Sequence, residues 1–331
     1  MEALSLIEIF NRLVAPAPSG SKSLFTAVRI TPYERYRLGK DADGSPALLI
    51  KLDLTESKNT SPPIRLQHLY VAHSLNCEIH HDSGVESGRF TVISCKDADR
   101  PMETYFIRVL QALLPTLGEN PTPIRVNQAV SHLVELFQAL RNPPRKTAQG
   151  LWAELLVIAE ARDTSTLMQA WHTMPDDLYD FNSGLHRLEV KSTSGQLRRH
   201  HFSLTQLQPP SGTVLVVASV IANRAGAGTT VIDLVEEIAS RLNEDPDNVL
   251  RLYQVVALTL GDSWHQATFE AFDREAARQS LAFFDASEIP MISSQLPQGV
   301  SNVHFTSDLT GKTILLATEL RQYGGFISAI P

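Results

Sequence analysis

In this 331-residue chain the side chains best placed to do chemistry are Asp180, Glu189 and Lys191. Two strand-like runs, Leu178-Tyr-Asp-Phe181 and Leu188-Glu-Val-Lys-Ser-Thr193, are joined by Asn182-Ser-Gly184, which is hairpin punctuation. Side chains alternate faces along a strand, so Glu189 and Lys191 point the same way and Val190 points away. Hairpin register can bring Asp180 beside them. Two carboxylates on one sheet edge can hold Mg²⁺, a hard ion that takes oxygen ligands and keeps several waters. The neighbouring ammonium can orient a metal-bound water or help deprotonate it, while the metal stabilises charge on a phosphate in transfer. Glu154, on the helix before the hairpin, offers a further carboxylate. The competing reading is plainer: acids and a lysine on a solvated sheet face, with Glu154 a good helix former facing water.

An acid-x-Lys triplet is weak by itself, so its context decides. Of the eight lysines only Lys191 and Lys58 follow an acid at that spacing. Lys58 lies in Asp53-Leu-Thr-Glu-Ser-Lys-Asn-Thr-Ser-Pro-Pro63, with no helix before it and prolines behind it. The Lys191 triplet has a glutamate-bearing helix upstream, an apolar-flanked hairpin around it and the run Thr213–Ala222 downstream.

These residues need a scaffold, and the pattern supplies one. Helical spacing covers Gly150–Glu160, a shorter stretch at Leu167–Trp171, and Val231–Leu242. Arg198–Leu204 adds a third strand-like run and Thr213–Ala222 a fourth, which together predict an α/β core with a mixed sheet. The first part of the chain reads differently. A short helix at Ala3–Val14 precedes strand-like runs at Leu24–Ile30, Tyr36–Leu38, Ala47–Leu52, Leu69–Val71 and Arg89–Ile93, then helical patterns at Phe106–Leu117 and Val126–Leu140. Asn142-Pro-Pro-Arg-Lys146 breaks the chain. The expected organisation is a β-rich N-terminal domain with closing helices at 1–145, a core at 146–243 and a C-terminal α/β extension at 244–331.

Gly150-Leu-Trp-Ala-Glu-Leu-Leu156, Asp180-Phe181, Leu188-Glu-Val-Lys-Ser-Thr193 and a distal Gln206 together resemble the PD-(D/E)XK nuclease superfamily. More narrowly, they resemble the bacterial PD-(D/E)XK motif proteins whose genes accompany restriction or phage-defence systems. The resemblance is specific over about residues 150–222. It implies a restriction-endonuclease-like αβββαβ core and a Mg²⁺-dependent nuclease, with Mn²⁺ as a possible substitute ion. It implies DNA as substrate and protein partners from a defence system. Asp180 and Glu189 would be metal ligands, the Val190 carbonyl a third, and Lys191 would sit at the nucleophilic water. Glu154 would be the helix-borne acid, and Gln206, Ser192, Arg198 and Arg199 would support the site or meet substrate. One departure stands: Tyr179, not proline, precedes Asp180, while a Pro-Asp pair occurs at Pro175-Asp176-Asp177. Tyr179-Asp-Phe181 reads as strand and Pro175-Asp-Asp as a turn or cap, so Asp180 is preferred and Asp177 is the rival ligand. The alternative within the same fold is a catalytically inactive subunit that binds nucleic acid or a partner protein.

Composition bounds the rest. The net charge is −7, with 29 basic and 36 acidic side chains, which excludes a broadly basic nucleic-acid coat. The surplus acid lies late: residues 1–145 carry 16 basic and 15 acidic groups, 146–210 carry 6 and 7, and 211–331 carry 7 and 14. Arg187, Lys191, Arg198, Arg199, His200 and His201 form the densest basic stretch, either phosphate-contacting or a solvated turn. His80-His81-Asp82 reads as a surface loop, Arg224–Thr229 as a plain strand–helix connection, and Trp152, Trp171 and Trp264 as core or interface residues. Cys77 and Cys95 are far apart, which fits a reducing cytoplasm. The N-terminal segment lacks a signal peptide's positive charge, and no apolar run nears the roughly 20 residues of a membrane span. A soluble cytoplasmic protein is the expectation.

Overall fold

The computed structural model describes residues 5–17, 23–52, 62–81, 84–242, 245–292 and 296–331. The Lys58 triplet and Asp82 lie outside them. The chain divides into two compact units, Met1–Arg141 and Asn142–Pro331. Among the described residues no helix is long and apolar enough to cross a membrane.

The first unit contains α1 (Leu6–Arg12), β1 (Ser23–Ile30), β2 (Tyr33–Asp41), β3 (Pro46–Ile50), β4 (Ile64–Arg65), β5 (Leu69–His81), β6 (Gly84–Cys95), α2 (Arg100–Leu117) and α3 (Pro123–Ala139). Its strands run in the order β1-β2-β3-β6-β5-β4, and a parallel pairing of β1 with β5 closes the first five into a ring. Closure removes exposed strand edges, and Phe25, Leu49, Ile79, Phe90 and Val92 fill an apolar cluster. His80 and His81, expected in a surface loop, end the long strand β5 instead, with His80 hydrogen-bonded to Glu78 at 3.1 Å.

The second unit contains α4 (Ala148–Glu160), α5 (Thr164–Ala170), β7 (Phe181–Ser183), β8 (His186–Thr193), β9 (Arg199–Ser203), β10 (Val214–Ile221), β11 (Arg224–Thr230), α6 (Val231–Arg241), α7 (Pro246–Leu260), α8 (Trp264–Ala267), β12 (Ala271–Phe272), α9 (Arg274–Ser280), β13 (Ala282–Asp285), β14 (His304–Asp308) and α10 (Ala317–Tyr323). A four-stranded mixed sheet runs β13-β10-β8-β7, with β10 parallel to β8 and the other pairs antiparallel. Thr147 caps α4 by accepting from the Gly150 N–H at 3.1 Å. Every residue of α4 from Leu151 to Ala159 is buried, the pattern of a helix packed on all sides. Helices α5, α6 and α7 and the face of β8 contact it. The β7–β8 hairpin turns on Gly184-Leu185, and Gly184 takes a φ of +55° that glycine adopts without steric cost.

Sequence patterning misplaced several partners. β9 does not join the hairpin sheet; it pairs with β14, from residues more than a hundred positions later. β13, from the segment expected to form an extension, is an edge strand of the central sheet beside β10. Such long-range pairings leave no local periodicity to read. Arg224–Thr230 is a strand paired with β12 rather than a bare connection.

Trp152 anchors this unit. Its side chain is wholly buried, its indole N–H donates to the Thr229 carbonyl at 2.9 Å, and its ring lies 5.0 Å from that of Phe272. Trp152→Ala should cost about 3–5 kcal/mol in chemical denaturation, from lost burial and the cavity left behind; a loss below about 1 kcal/mol contradicts this packing.

Candidate active site

Glu154 sits mid-way along the buried helix α4 at 2% exposure, so its carboxylate has to be partnered within the protein. Oε1 accepts from the Lys146 ammonium at 2.7 Å. Oε2 accepts from the Trp171 indole N–H at 2.9 Å and lies 2.9 Å from His172 Nε2. Lys146, just outside the Thr147 cap, also donates to Asp180 Oδ1 at 2.5 Å. Asp180 Oδ2 accepts from the Val190 backbone N–H at 2.7 Å. One ammonium thus ties the approach to α4, the helix itself and the hairpin together. Arg251, on α7, donates to the carbonyls of Met168 and Trp171 and so fixes the end of α5 and the Trp171-His172 step that follows it.

The hairpin register ends at the Phe181–Leu188 pair, which leaves Asp180, just before β7, close enough to Glu189 for its charge to act on it. Glu189 pairs with Val217 on β10, and Val217 with Phe284 on β13. Paired residues share a face, so Glu189 lies on the side of the apolar cluster that holds Val217, Phe284, Phe202 and Tyr179. Its Oε1 accepts from Lys191 Nζ at 2.7 Å and from the Gln206 side-chain amide at 2.8 Å. Gln206, in the 3₁₀ turn Leu204–Leu207, accepts in turn from Lys191 Nζ at 3.3 Å and from the Ser203 N–H at 3.1 Å. Lys191 Nζ is 5.1 Å from the centroid of the Phe202 ring, a cation–π contact that further fixes the ammonium. Glu189 Oε2 is buried and has no hydrogen-bond partner among the described residues.

The charges follow from this geometry. Burial opposes ionisation of Glu154, but the Lys146 ammonium, with His172, holds its carboxyl at about 2. Burial also works against the charge on Lys146, and Asp180 and Glu154 outweigh it, raising the ammonium above its ordinary value. Burial and then the charge of Glu154 push Asp180 up, despite Lys146 and the Val190 N–H. Burial, followed by the charge of Asp180, lifts Glu189 to about 8, with Lys191 offsetting only part of it.

The contacts thus form two groups, Glu154–Lys146–Asp180–Val190 and Glu189–Lys191–Gln206, which adjoin at the Glu189-Val190 step of β8, while the rival Asp177 is exposed and accepts from the Met174 N–H at 3.4 Å as a local cap. Ser192 accepts from the Gln149 amide at 3.3 Å, next to the site on β8. Arg198, expected to meet phosphate, turns inward: it donates to the Ser219 carbonyl and hydroxyl at 2.9 and 2.8 Å and to the Ser280 carbonyl. Arg199 is exposed and paired with Asp308 at 3.0 Å. Trp152, Trp171 and Trp264 are all buried. Lys146, His172 and Trp171 are site residues that spacing did not reveal. Lys146 falls in a chain-breaking segment and His172 follows a short helix, and only the fold brings them to Glu154.

The second unit is thus a mixed α/β unit whose buried acids, lysines and imidazole gather beside a hairpin. The chain matches one family model over residues 6–310, described as "Putative PD-(D/E)XK family member, (DUF4420)", and it belongs to that family. No curated protein and no solved structure matched it. Members of the PD-(D/E)XK superfamily are usually nucleases that use divalent metals, and the mixed sheets and helices are consistent with such a fold. The donor set suits a metal of this kind: Glu189 Oε2 is an oxygen held in a buried site with its lone pairs unused.

Two outcomes check the site. Between its ordinary 4.5 and about 8, Glu189 binds a proton in the folded state that the unfolded chain lacks, so its contribution to stability is lost as pH rises through that window. Glu189→Gln removes this dependence, and the melting-temperature gap between the variant and metal-free wild type should widen in the variant's favour from about pH 5 to about pH 9; a gap independent of pH contradicts the assignment. Arg198→Ala should lower stability by about 1–3 kcal/mol, since it strands buried acceptors. An unchanged melting temperature alongside weakened nucleic-acid binding would restore Arg198 to the phosphate-contacting set.

Proposed function

We propose that this protein is a Mg²⁺-dependent nuclease that hydrolyses phosphodiester bonds in DNA, with Mn²⁺ able to replace Mg²⁺. The observation that carries this reading is Glu189 Oε2, a carboxylate oxygen held in a buried site without a partner while its twin is fixed by Lys191 and Gln206. A polar atom stranded in that way costs about 1–3 kcal/mol unless a ligand uses it. Asp180, Glu189 and the Val190 carbonyl would hold the ion, which when bound stabilises charge on the phosphate and makes a water more acidic.

The chain's own groups do the rest. Gln206 and Lys191 set the orientation of Glu189. The Lys191 side chain is 18% exposed, and its ammonium would hold the attacking water. Glu154 acts on Asp180 through Lys146 and is a positioning residue. Arg199, exposed on β9, and the half-buried Ser192 on β8 would meet a phosphate backbone for positioning. The acidic balance of residues 211–331, at 7 basic and 14 acidic groups, supports a nucleic-acid path that avoids that segment's exposed surface. The restriction or phage-defence setting and its protein partners rest on the sequence resemblance alone, and a cytoplasmic location rests on the two separated cysteines.

The test is cleavage of supercoiled plasmid, linear duplex and single-stranded DNA in Mg²⁺, Mn²⁺ or a chelator. Metal-dependent cleavage should fall below detection in Glu189→Ala and Lys191→Ala while both still melt cooperatively. Wild-type-like cleavage by Glu189→Ala overturns the mechanism. Metal-independent DNA binding with no cleavage of any substrate favours an inactive nuclease-fold subunit.

A further inference from the structure

Glu154, His172 and Asp180 each present one ligand atom, and these atoms all lie within 4.8 Å of one another. All three residues are buried. Two carboxylate oxygens and an imidazole nitrogen so gathered are a donor set for a divalent cation, and the imidazole favours Mn²⁺ over Ca²⁺ or Mg²⁺. A cation already sits among them. Lys146 Nζ is 2.7 Å from Glu154 Oε1, 2.5 Å from Asp180 Oδ1 and 3.5 Å from His172 Nε2.

We infer that this is a second divalent-cation position, which Lys146 keeps filled with its own ammonium. The position is distinct from the one on the Asp180–Glu189 side, although Asp180 borders both. Three features support it. The Lys146 side chain is 22% exposed, so it reaches the acids from the surface and leaves a path along its own stem. Glu154 Oε2 and His172 Nε2, 2.9 Å apart, are fixed from behind by Trp171 and by the Arg251 clamp on the end of α5, so the donors stay in place when the ammonium is withdrawn. A +1 group in a locus bordered by two carboxylates leaves charge that a +2 ion would balance in full. The chain thus supplies internally the cation that a second metal would otherwise supply, and the wild-type site takes one ion fewer than its donors allow. Lys146 is accordingly a positioning residue for Asp180 and Glu154 that sets the metal stoichiometry.

This inference stands apart from the nuclease reading, and one experiment separates the two. Mn²⁺ is titrated into full-length wild type, Lys146→Ala, Lys146→Arg and the double variant Lys146→Ala/Glu154→Gln, counting bound ions by calorimetry and by the loss of the free Mn²⁺ signal in electron paramagnetic resonance. Lys146→Ala should bind one ion more per chain than wild type, Lys146→Arg the same number as wild type, and the double variant should lose the added ion. Thermal unfolding gives a second readout: Lys146→Ala should melt below wild type in chelator and recover in Mn²⁺, with a larger metal-induced shift than wild type. Equal ion counts for wild type and Lys146→Ala overturn the inference. So does a Lys146→Ala protein that is unfolded in chelator and in saturating Mn²⁺ alike. The absolute wild-type count speaks to the other reading: one ion supports the Asp180–Glu189 position, and none overturns it, even where Lys146→Ala gains an ion and supports the Lys146 locus.

Discussion

The contact on which the second unit depends is the Lys146 ammonium lodged between Glu154 and Asp180. A carboxylate on a helix buried on every side has lost its water, and desolvation of an unpaired charge there costs several kcal/mol. Lys146 and His172 make Glu154 tolerable, and the same ammonium draws in Asp180 from the start of the hairpin. Charge balance then reaches Glu189. Three buried acids face two lysines and His172; burial, followed by the charge of Asp180, lifts Glu189 to about 8. The residue with the unused oxygen is also the one that most readily keeps a proton, and a bound cation would displace that proton.

The surrounding architecture can be read as support for that cluster. α4 delivers Glu154 into the interior because its other positions from Leu151 to Ala159 are apolar or small enough to pack on α5, α6, α7 and β8. The tight turn at Gly184-Leu185 sets the register that pairs Phe181 with Leu188 and so brings Asp180 and Glu189 near one another. Gln206 reaches back from its 3₁₀ turn because the Ser203 hydroxyl accepts from the Gln206 backbone N–H while the Ser203 N–H donates to the Gln206 side-chain oxygen. Arg198, held by Ser219 and Ser280, ties the start of β9 to β10 and to the end of α9. Residues from 304 to 308 complete β9 as a pair, so the last part of the chain helps hold a site whose acids lie far upstream.

Much of the buried polar cluster was legible because its acids and Lys191 are spaced at short range. Glu189-Val-Lys191 is a two-residue spacing on a strand, Asp180 lies one tight turn away, and Glu154 is the one acid inside the apolar run Leu151–Ala159. The residues that escaped notice act at long range. Lys146 looked like part of a breaker between Asn142 and the helix, and His172 like the residue after a short helix. A dense basic stretch also misled: Arg198 and Arg199 are neighbours in sequence, but alternation along the chain turns one inward onto carbonyls and leaves the other in solvent. Strand pairing was the least legible part of the fold, since β9 with β14 and β10 with β13 join segments separated by many residues.

The central claim is that the unused oxygen of Glu189 and a carboxylate oxygen of Asp180 share one divalent ion. Anomalous diffraction from crystals of the full chain grown with Mn²⁺ tests it most directly. The account predicts a manganese peak in direct contact with Glu189 Oε2 and Asp180, absent from matched Glu189→Gln crystals. Manganese found elsewhere, with Glu189 Oε2 left bare in the loaded wild-type protein, would contradict it.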